Sequence, residues 1–298
     1  MQLSGRGVAM SIIASCLFAV IPGYALYLGP LDGIQVFAQR ILWSLPAVFI
    51  MLLVAGRASV LKESVLRLVR EPILILALFV TAALLGVQWL VFVWAPINQQ
   101  MLNLTLGFFL LPLSLVLVGR VFYHEYLRNL QRIAVLFAAI GVMHELWVVG
   151  GLSWVTLICA LGFPPYFMLR RWMGFDAFSG LFLEMLLLAP VAIYIFVNFA
   201  PVAVFSTAPQ LWYLLPGLGL LSAIAFGTML KASQLLPLGL LGILSYVEPV
   251  LLLLFSVFWV GETIGTTELF TYVPIWIAVI LVIFDSVRVL IKQSRRLK

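Results

Sequence analysis

The sequence has few charged residues for its length. Asp, Glu, Lys and Arg make up 9% of the 298 residues, whereas soluble globular domains carry about 25%. Hydrophobic residues reach 64%, and the mean hydropathy is +1.20. These values exclude a soluble globular protein and predict an all-α integral membrane protein built from long apolar runs.

Cysteine and histidine are also scarce. The two cysteines, Cys16 and Cys159, lie in separate apolar runs, so they predict neither a disulfide framework nor a metal site. The two histidines lack the i, i+4 spacing of a metalloprotease helix, and the sequence has no recognisable phosphate-binding glycine loop. We therefore expect no metal, no cofactor and no catalytic residue.

Ten apolar runs divide the chain, and most are long enough to cross ~30 Å of hydrocarbon at 1.5 Å per residue. In hydrocarbon, each segment must satisfy its own backbone polar groups, so these runs predict ten transmembrane helices. They are residues 7–28, 34–55, 72–94, 101–118, 133–149, 151–169, 178–199, 210–230, 235–260 and 269–291.

The basic residues predict how these helices are oriented. Of the 17 lysines and arginines, all except Arg40 fall in segments that share one side of the membrane if ten spans alternate. This bias places both termini in the cytoplasm. Because the net charge of +6 is spread over short loops, it does not predict a nucleic-acid partner. Residues 57–71 form either a short amphipathic helix on the inner surface or a solvated connector.

Short motifs recur in the two halves of the chain at similar spacing. Because each half holds five spans, the second copy must be inverted in the membrane, an arrangement that many transporters use. The predicted domains are residues 1–149, the first five-helix repeat, and residues 150–298, the second. The matched segments are 22–24 with 164–166, 40–46 with 184–190, and 112–125 with 249–262.

Several longer motifs carry a family resemblance. They are QRILWS (39–44), QWLVFVWA (88–95), LGFFLLPL (106–113), LRNLQRIAV (127–135), GLFLE (180–184) and SYVEP (245–249). Over its full length the chain resembles the RarD-type permeases of the EamA branch of the drug/metabolite transporter superfamily. The resemblance implies two inverted five-helix repeats, a central cavity and movement of small metabolites or drugs across a bacterial inner membrane.

Arg40 is the cation that lies inside an apolar run. A charge at that depth costs ~2.5–3.5 kcal/mol on insertion scales, so it usually has a function and a partner. At 1.5 Å per residue, Arg40 and Glu248 reach similar depths, whereas Glu184 lies roughly 12 Å away along the membrane normal. We therefore expect Arg40 to pair with Glu248. A structural ion pair and snorkelling to the interface remain the alternatives.

Two roles follow for these charges. Arg40 could bind a substrate carboxylate through its planar fork, while Glu248 holds Arg40 or receives an ammonium group, as an amino-acid-like substrate would require. Alternatively, Glu184 or Glu248 could take up a proton, because removal from water favours a neutral carboxyl group. The predicted substrate-binding residues are Arg40, Trp43, Gln88, Trp89, Tyr246 and Glu248.

Prolines within the spans bend helices and free backbone carbonyls. Their paired positions in the two repeats predict hinges, although static kinks that suit packing would leave the same pattern. The predicted hinges are Pro22, Pro112, Pro164 and Pro249.

The sequence as a whole predicts a secondary transporter of small organic metabolites or drugs. The family resemblance implies that it is an exporter. We expect it to work as a monomer in the lipid bilayer by alternating access. An importer or facilitator and a non-transporting membrane scaffold are the alternatives.

Overall fold

The computed structural model describes residues 3–199, 203–255 and 265–296. All regular structure in these segments is helical. The helices are α1 (Gly5–Ala25), α2 (Gly33–Val54), α3 (Ala58–Arg70), α4 (Pro72–Ile97), α5 (Met101–Phe122), α6 (Asn129–Val149), α7 (Trp154–Met173), α8 (Ala177–Phe199), α9 (Ala203–Thr207), α10 (Leu211–Leu235), α11 (Leu238–Ser245), α12 (Val247–Phe255) and α13 (Thr266–Arg296).

Helix boundaries follow from local chemistry. The Asp32 side chain accepts a hydrogen bond from the Gln35 backbone at 2.8 Å, and the Gln35 side chain accepts one from the Asp32 backbone, so α2 begins with a capping box. Asp176 accepts from the backbone amides of Phe178 and Ser179 at the start of α8. Helix α6 ends at Gly150, whose φ of 83° suits a residue without a side chain.

Seven of the described helices are long and apolar enough to cross a membrane, namely α2, α4, α5, α6, α8, α10 and α13. Shorter apolar helices cover part of α1 and the segment of α11 and α12. The first predicted span overlaps α1 and contains the 3₁₀ turn Leu26–Leu28, and the second to eighth and the tenth each coincide with one helix. Of the ninth, the described part contains α11 and α12, whereas 256–260 lie outside the described residues. Three points stay predictions: that ten helices cross the membrane, that they form an inverted repeat, and that both termini lie in the cytoplasm.

The ninth predicted span is divided at Tyr246 into α11 and α12. Pro249 has no backbone N–H to donate to the carbonyl of Ser245, so the regular hydrogen-bond pattern cannot continue there. Instead, the Tyr246 amide donates to the Ile243 carbonyl at 3.3 Å, which is a tightened final turn.

Residues 57–71 contain the helix α3, as one of the two sequence interpretations predicted. Its Leu61 and Leu68 pack against the hydrophobic core formed by α4, α7 and α8. Arg57, which precedes α3, lies 2.8 Å from the carboxylate of Asp176. The placement of α3 on a membrane surface stays a prediction.

The helices form two compact units. The first comprises Met1–Ala19, Met101–Pro164 and Lys231–Lys298, and in its described part α5 packs on α11 and α6 packs on α13. The second comprises Val20–Gln100 and Pro165–Leu230, where α2 packs on α8 and α4 packs on both. Each unit thus takes helices from both sequence repeats. Because a sequence repeat need not be a compact unit, the division at residue 149 stays a prediction.

Candidate functional site

Arg40 lies on α2 in the second unit, where it is 6% exposed. Its Nε donates a hydrogen bond to the Ser222 hydroxyl oxygen at 2.9 Å. Its guanidinium carbon lies 4.0 Å from the centre of the Trp89 ring, within range of a cation–π interaction. The sequence-based prediction that Arg40 is buried is confirmed, and these contacts show how α4 and α10 stabilise it.

Close packing of α2 and α10 positions this arginine. The Ser44 hydroxyl donates to the Gly219 carbonyl at 3.2 Å. A side chain at Gly219 would overlap the backbone of Trp43, so the absence of a side chain permits the approach. Trp43 itself is half-buried, and its indole N–H donates to the side-chain oxygen of Gln39 at 3.1 Å.

Gln88 and Trp89 are adjacent on α4 and are 2% and 4% exposed. Trp89 lies under the guanidinium of Arg40, and the substrate-binding roles of Gln88 and Trp89 stay predictions. Trp89 also contacts Phe226, whose ring centre lies 5.7 Å away at an interplanar angle of 89°, the favourable edge-to-face arrangement.

Glu184 on α8 is fully buried and has three polar neighbours. Its Oε2 accepts from the Tyr166 hydroxyl at 2.9 Å, and its Oε1 lies 3.7 Å from Nε of Arg170. Thr81, whose hydroxyl donates to the Leu78 carbonyl at 3.1 Å, also lies beside the carboxylate. These contacts make a buried ion pair that is reinforced by the Tyr166 hydroxyl.

Arg170 was missed as a partner by the sequence analysis. It was grouped with the basic residues of one membrane side, just after the predicted span 151–169. Helix α7 continues past it to Met173, and its side chain is 3% exposed. The side of the membrane on which it lies stays a prediction. Its Nη2 donates to the Ala177 carbonyl at 2.9 Å. One signal was present in the sequence, since residues four apart share a helix face and Arg170 follows Tyr166 at that spacing.

Arg40 and Glu184 are connected by aromatic rings within the second unit. Arg40 lies over Trp89, Trp89 contacts Phe226, and the centre of Phe226 lies 5.9 Å from that of Tyr166, which donates to Glu184. We call these five residues the Arg40–Glu184 cluster. The cluster thus connects Arg40 and Glu184, which occupy equivalent positions in the two sequence repeats.

The remaining predicted binding residues, Tyr246 and Glu248, belong to the first unit. The Tyr246 hydroxyl donates to the Phe109 carbonyl at 2.8 Å, and the side chain is fully buried. Glu248 lies in the first turn of α12 and is half-buried. Its pairing with Arg40 and the substrate-binding role of both residues stay predictions.

The predicted hinge prolines have different surroundings. Pro22 lies in α1, while Pro112 and Pro164 are buried within the continuous helices α5 and α7. Pro249 is the one of the four that follows a helix break. Hinge motion at all four stays a prediction.

Glu125 has a structural contact that the sequence did not predict. Its carboxylate accepts hydrogen bonds at 2.8 Å from the backbone amides of Leu238 and Gly239. It therefore caps the start of α11.

No group of three or more His, Cys, Asp or Glu side chains lies together in the described part of the chain. His144 and Glu145 are connected through Thr271, because the His144 Nδ1 lies 2.9 Å from the Thr271 hydroxyl, which donates to the Glu145 carboxylate. This trio connects α6 to α13. The described residues thus offer no metal-binding cluster.

The chain is similar over nearly its full length to bacterial proteins that share a name. It is 52% identical to the chloramphenicol-sensitive protein RarD of Pseudomonas aeruginosa, over 99% of both chains. The chain belongs to the RarD-type permease family. Other members are the protein RarD of Escherichia coli, at 31% identity over 95% of both chains, and an uncharacterized transporter of Haemophilus influenzae, at 34% identity over 95% of both.

This RarD-type permease is a multi-pass membrane transporter, as its relatives and its apolar helices together indicate. One solved crystal structure has a TM-score of 0.70 and 19% identity, over 94% of this chain and 98% of that one, so the two share a fold. No family model matches the chain.

Proposed function

We propose that this RarD-type permease exports small organic metabolites or drugs by alternating access around a central cavity. It works as a monomer in a bacterial inner membrane, with ten helices in two inverted repeats and both termini in the cytoplasm. Small organic substrates and bilayer lipid are its partners. The substrates include amino-acid-like compounds, because Arg40 offers a planar fork for a carboxylate.

The burial of Arg40 is the observation that carries this proposal. Ionisable side chains inside membrane helices are costly and mark substrate or ion pathways. Arg40 is 6% exposed within an apolar helix and rests on the indole of Trp89 and the hydroxyl of Ser222. A rigid aromatic surface beside an oriented guanidinium is suited to an organic anion with an apolar body.

Glu184 is the proposed proton-coupling residue, with Glu248 as the second candidate. Its carboxylate lies in a site without solvent exposure, and Tyr166 connects it through Phe226 and Trp89 to Arg40. Proton uptake would weaken its attraction to Arg170, 3.7 Å away. The changed pairing of Arg170 would then alter the packing of α7 on α8.

The packing within the units supports the repeat. Helices α2 and α8 contain the matched segments 40–46 and 184–190 and pack on each other. The helices α5 and α11, which pack together, are also equivalents in the two repeats, as are α6 and α13. Such contacts between equivalent helices are expected of repeats related by a two-fold axis.

A counterflow assay in liposomes tests the transport site. Purified protein is screened with amino acids, related metabolites and chloramphenicol, which the name of the Pseudomonas relative suggests. We expect saturable exchange in the wild type, loss of exchange in Arg40→Ala and normal exchange in Arg70→Ala, which removes an exposed arginine of α3. Normal exchange by folded Arg40→Ala would show that the arginine is structural.

The same assay at two pH values tests proton coupling. We expect the pH dependence of uphill transport to disappear in Glu184→Gln while equilibrative exchange continues. Loss of pH dependence in Glu248→Gln instead would assign coupling to that residue. Exchange without uphill transport in the wild type would favour a facilitator, and absence of any saturable flux would favour a scaffold.

A further inference from the structure

Helices α5 and α6 of the first unit enclose a groove near the loop that joins them. Its volume of about 630 Å³ falls within the ~300–1,000 Å³ of small-molecule sites. The α5 wall consists of Leu113, Val116, Leu117 and Arg120. These residues are spaced i, i+3, i+4 and i+7, so they share one helix face.

The α6 wall repeats this arrangement in the opposite chain direction. It consists of Arg132, Val135 and Ala139, and Leu127 from the connecting segment also lines the groove. Each wall is apolar over two helical turns, roughly 10 Å at 1.5 Å per residue, and ends in an arginine. The groove therefore has a long apolar part and one strongly basic mouth.

The two arginines at the mouth are held by neutral groups. Arg120 donates to the Glu125 backbone carbonyl at 3.3 Å and lies 4.8 Å from the Tyr126 ring centre. Arg132 donates to the Leu127 carbonyl at 3.1 Å. Both are exposed, and within the described segments neither has a carboxylate at ion-pair distance.

Nearby acidic groups are engaged elsewhere. Asp285 lies 2.7 Å from Arg128, the third arginine of this region. The Glu125 carboxylate accepts from the amides that begin α11. Among the described residues, Arg120 and Arg132 are therefore two arginines at the mouth that form no ion pair.

We propose that this groove binds an anionic phospholipid, with one acyl chain between α5 and α6 and the phosphate at Arg120 and Arg132. Guanidinium groups bind phosphate oxygens in charge-assisted pairs. The apolar walls favour a ligand with a hydrocarbon tail, and the two arginines without an ion-pair partner favour a negatively charged headgroup. A lipid of the surrounding bilayer meets both conditions, whereas a free phosphate ion would leave the walls unfilled.

Native mass spectrometry of the purified full-length protein tests this site. The probes are phosphatidylglycerol, phosphatidylcholine with the same acyl chains, and glycerol phosphate without them. We expect phosphatidylglycerol alone to bind tightly. Because each basic residue adds about 1 kcal/mol of attraction to an anionic lipid, the double variant Arg120→Gln/Arg132→Gln should bind it roughly 30-fold more weakly.

Two further variants make the result specific. Arg288→Gln removes an exposed arginine from α13 and should leave binding unchanged. Ala139→Phe fills the groove with both charges intact and should also lose phosphatidylglycerol, which keeps the test decisive if the double variant does not fold. Equal binding of the two lipids by the wild type, or full binding by folded Ala139→Phe, would overturn the proposal.

Discussion

Arg40 and Glu184 are both buried charges in apolar helices, and different contacts stabilise them. Arg40 rests on an indole ring and a hydroxyl group, whereas Glu184 has the cation of Arg170 beside it and accepts a hydrogen bond from Tyr166. A buried ion pair depends on both partners, because one charge left alone is costly. Removal of one partner of the Arg170–Glu184 pair should therefore destabilise the fold.

The variant Glu184→Gln tests the stabilising part of that role. It keeps the size of the side chain but leaves Arg170 as an uncompensated buried cation, so we expect a loss of roughly 3 kcal/mol of stability. Thermal unfolding in detergent would measure this as a lower Tm. The double variant Glu184→Leu/Arg170→Met removes both charges and should unfold at a higher temperature than the single variant, and an equal or lower Tm would contradict the pairing.

At the level of single residues, the sequence predicted the burial of Arg40 but not that of Arg170. Arg40 lies inside the mostly apolar run 34–55, so its depth could be read from position alone. Arg170 directly follows the predicted span 151–169 and precedes Arg171, so it was grouped with the basic residues of one membrane side. Adjacent residues of a helix point about 100° apart, so one arginine can turn inward while the next does not.

Helix contacts in the second unit depend on small residues at a few points. The replacement Gly219→Ala would place a Cβ against the Trp43 backbone, which cannot rotate away. We expect a loss of about 1–3 kcal/mol, typical of overpacking, measured as a lower Tm. Gly29→Ala is the matched control, since no heavy atom lies within 4 Å of its added Cβ, and a similar loss in both would refute the close contact.

The helix break at Tyr246 makes a different prediction about Pro249. The variant Pro249→Ala restores a backbone donor to the Ser245 carbonyl and should join α11 to α12, since proline costs a helix interior ~3 kcal/mol. Amide hydrogen exchange of residues 245–250 should slow by roughly tenfold or more. Pro112→Ala, within the continuous α5, should change local exchange less, and unchanged exchange in Pro249→Ala would mean that other packing maintains the break.

Helix positions were more predictable than helix ends and breaks. Hydrophobic runs located the helices, because an apolar segment in a membrane must satisfy its own backbone hydrogen bonds and does so by forming a helix. The extent of α13, Thr266–Arg296, goes beyond the predicted 269–291, since polar end residues continue a helix without adding hydropathy. The contact of Glu125 with α11 joins distant segments, and a single sequence has no signal for it.

For the whole molecule, the distribution of basic residues predicts that both termini lie in the cytoplasm. Fusions of alkaline phosphatase and of green fluorescent protein to the C-terminus test this in cells. The alkaline phosphatase fusion should be inactive, because this enzyme folds only outside the cytoplasm. The green fluorescent protein fusion should be fluorescent. Active phosphatase would place the C-terminus outside the cytoplasm and would refute the predicted orientation.

The central claim is that Arg40 belongs to the transport site. Its most direct test is counterflow in liposomes by Arg40→Ala and Arg40→Lys beside Arg70→Ala. We predict loss of exchange in Arg40→Ala, weak exchange in Arg40→Lys, because lysine keeps the charge without the planar fork, and normal exchange in Arg70→Ala. Normal exchange by a folded Arg40→Ala would contradict the claim and leave Arg40 as a structural residue of α2.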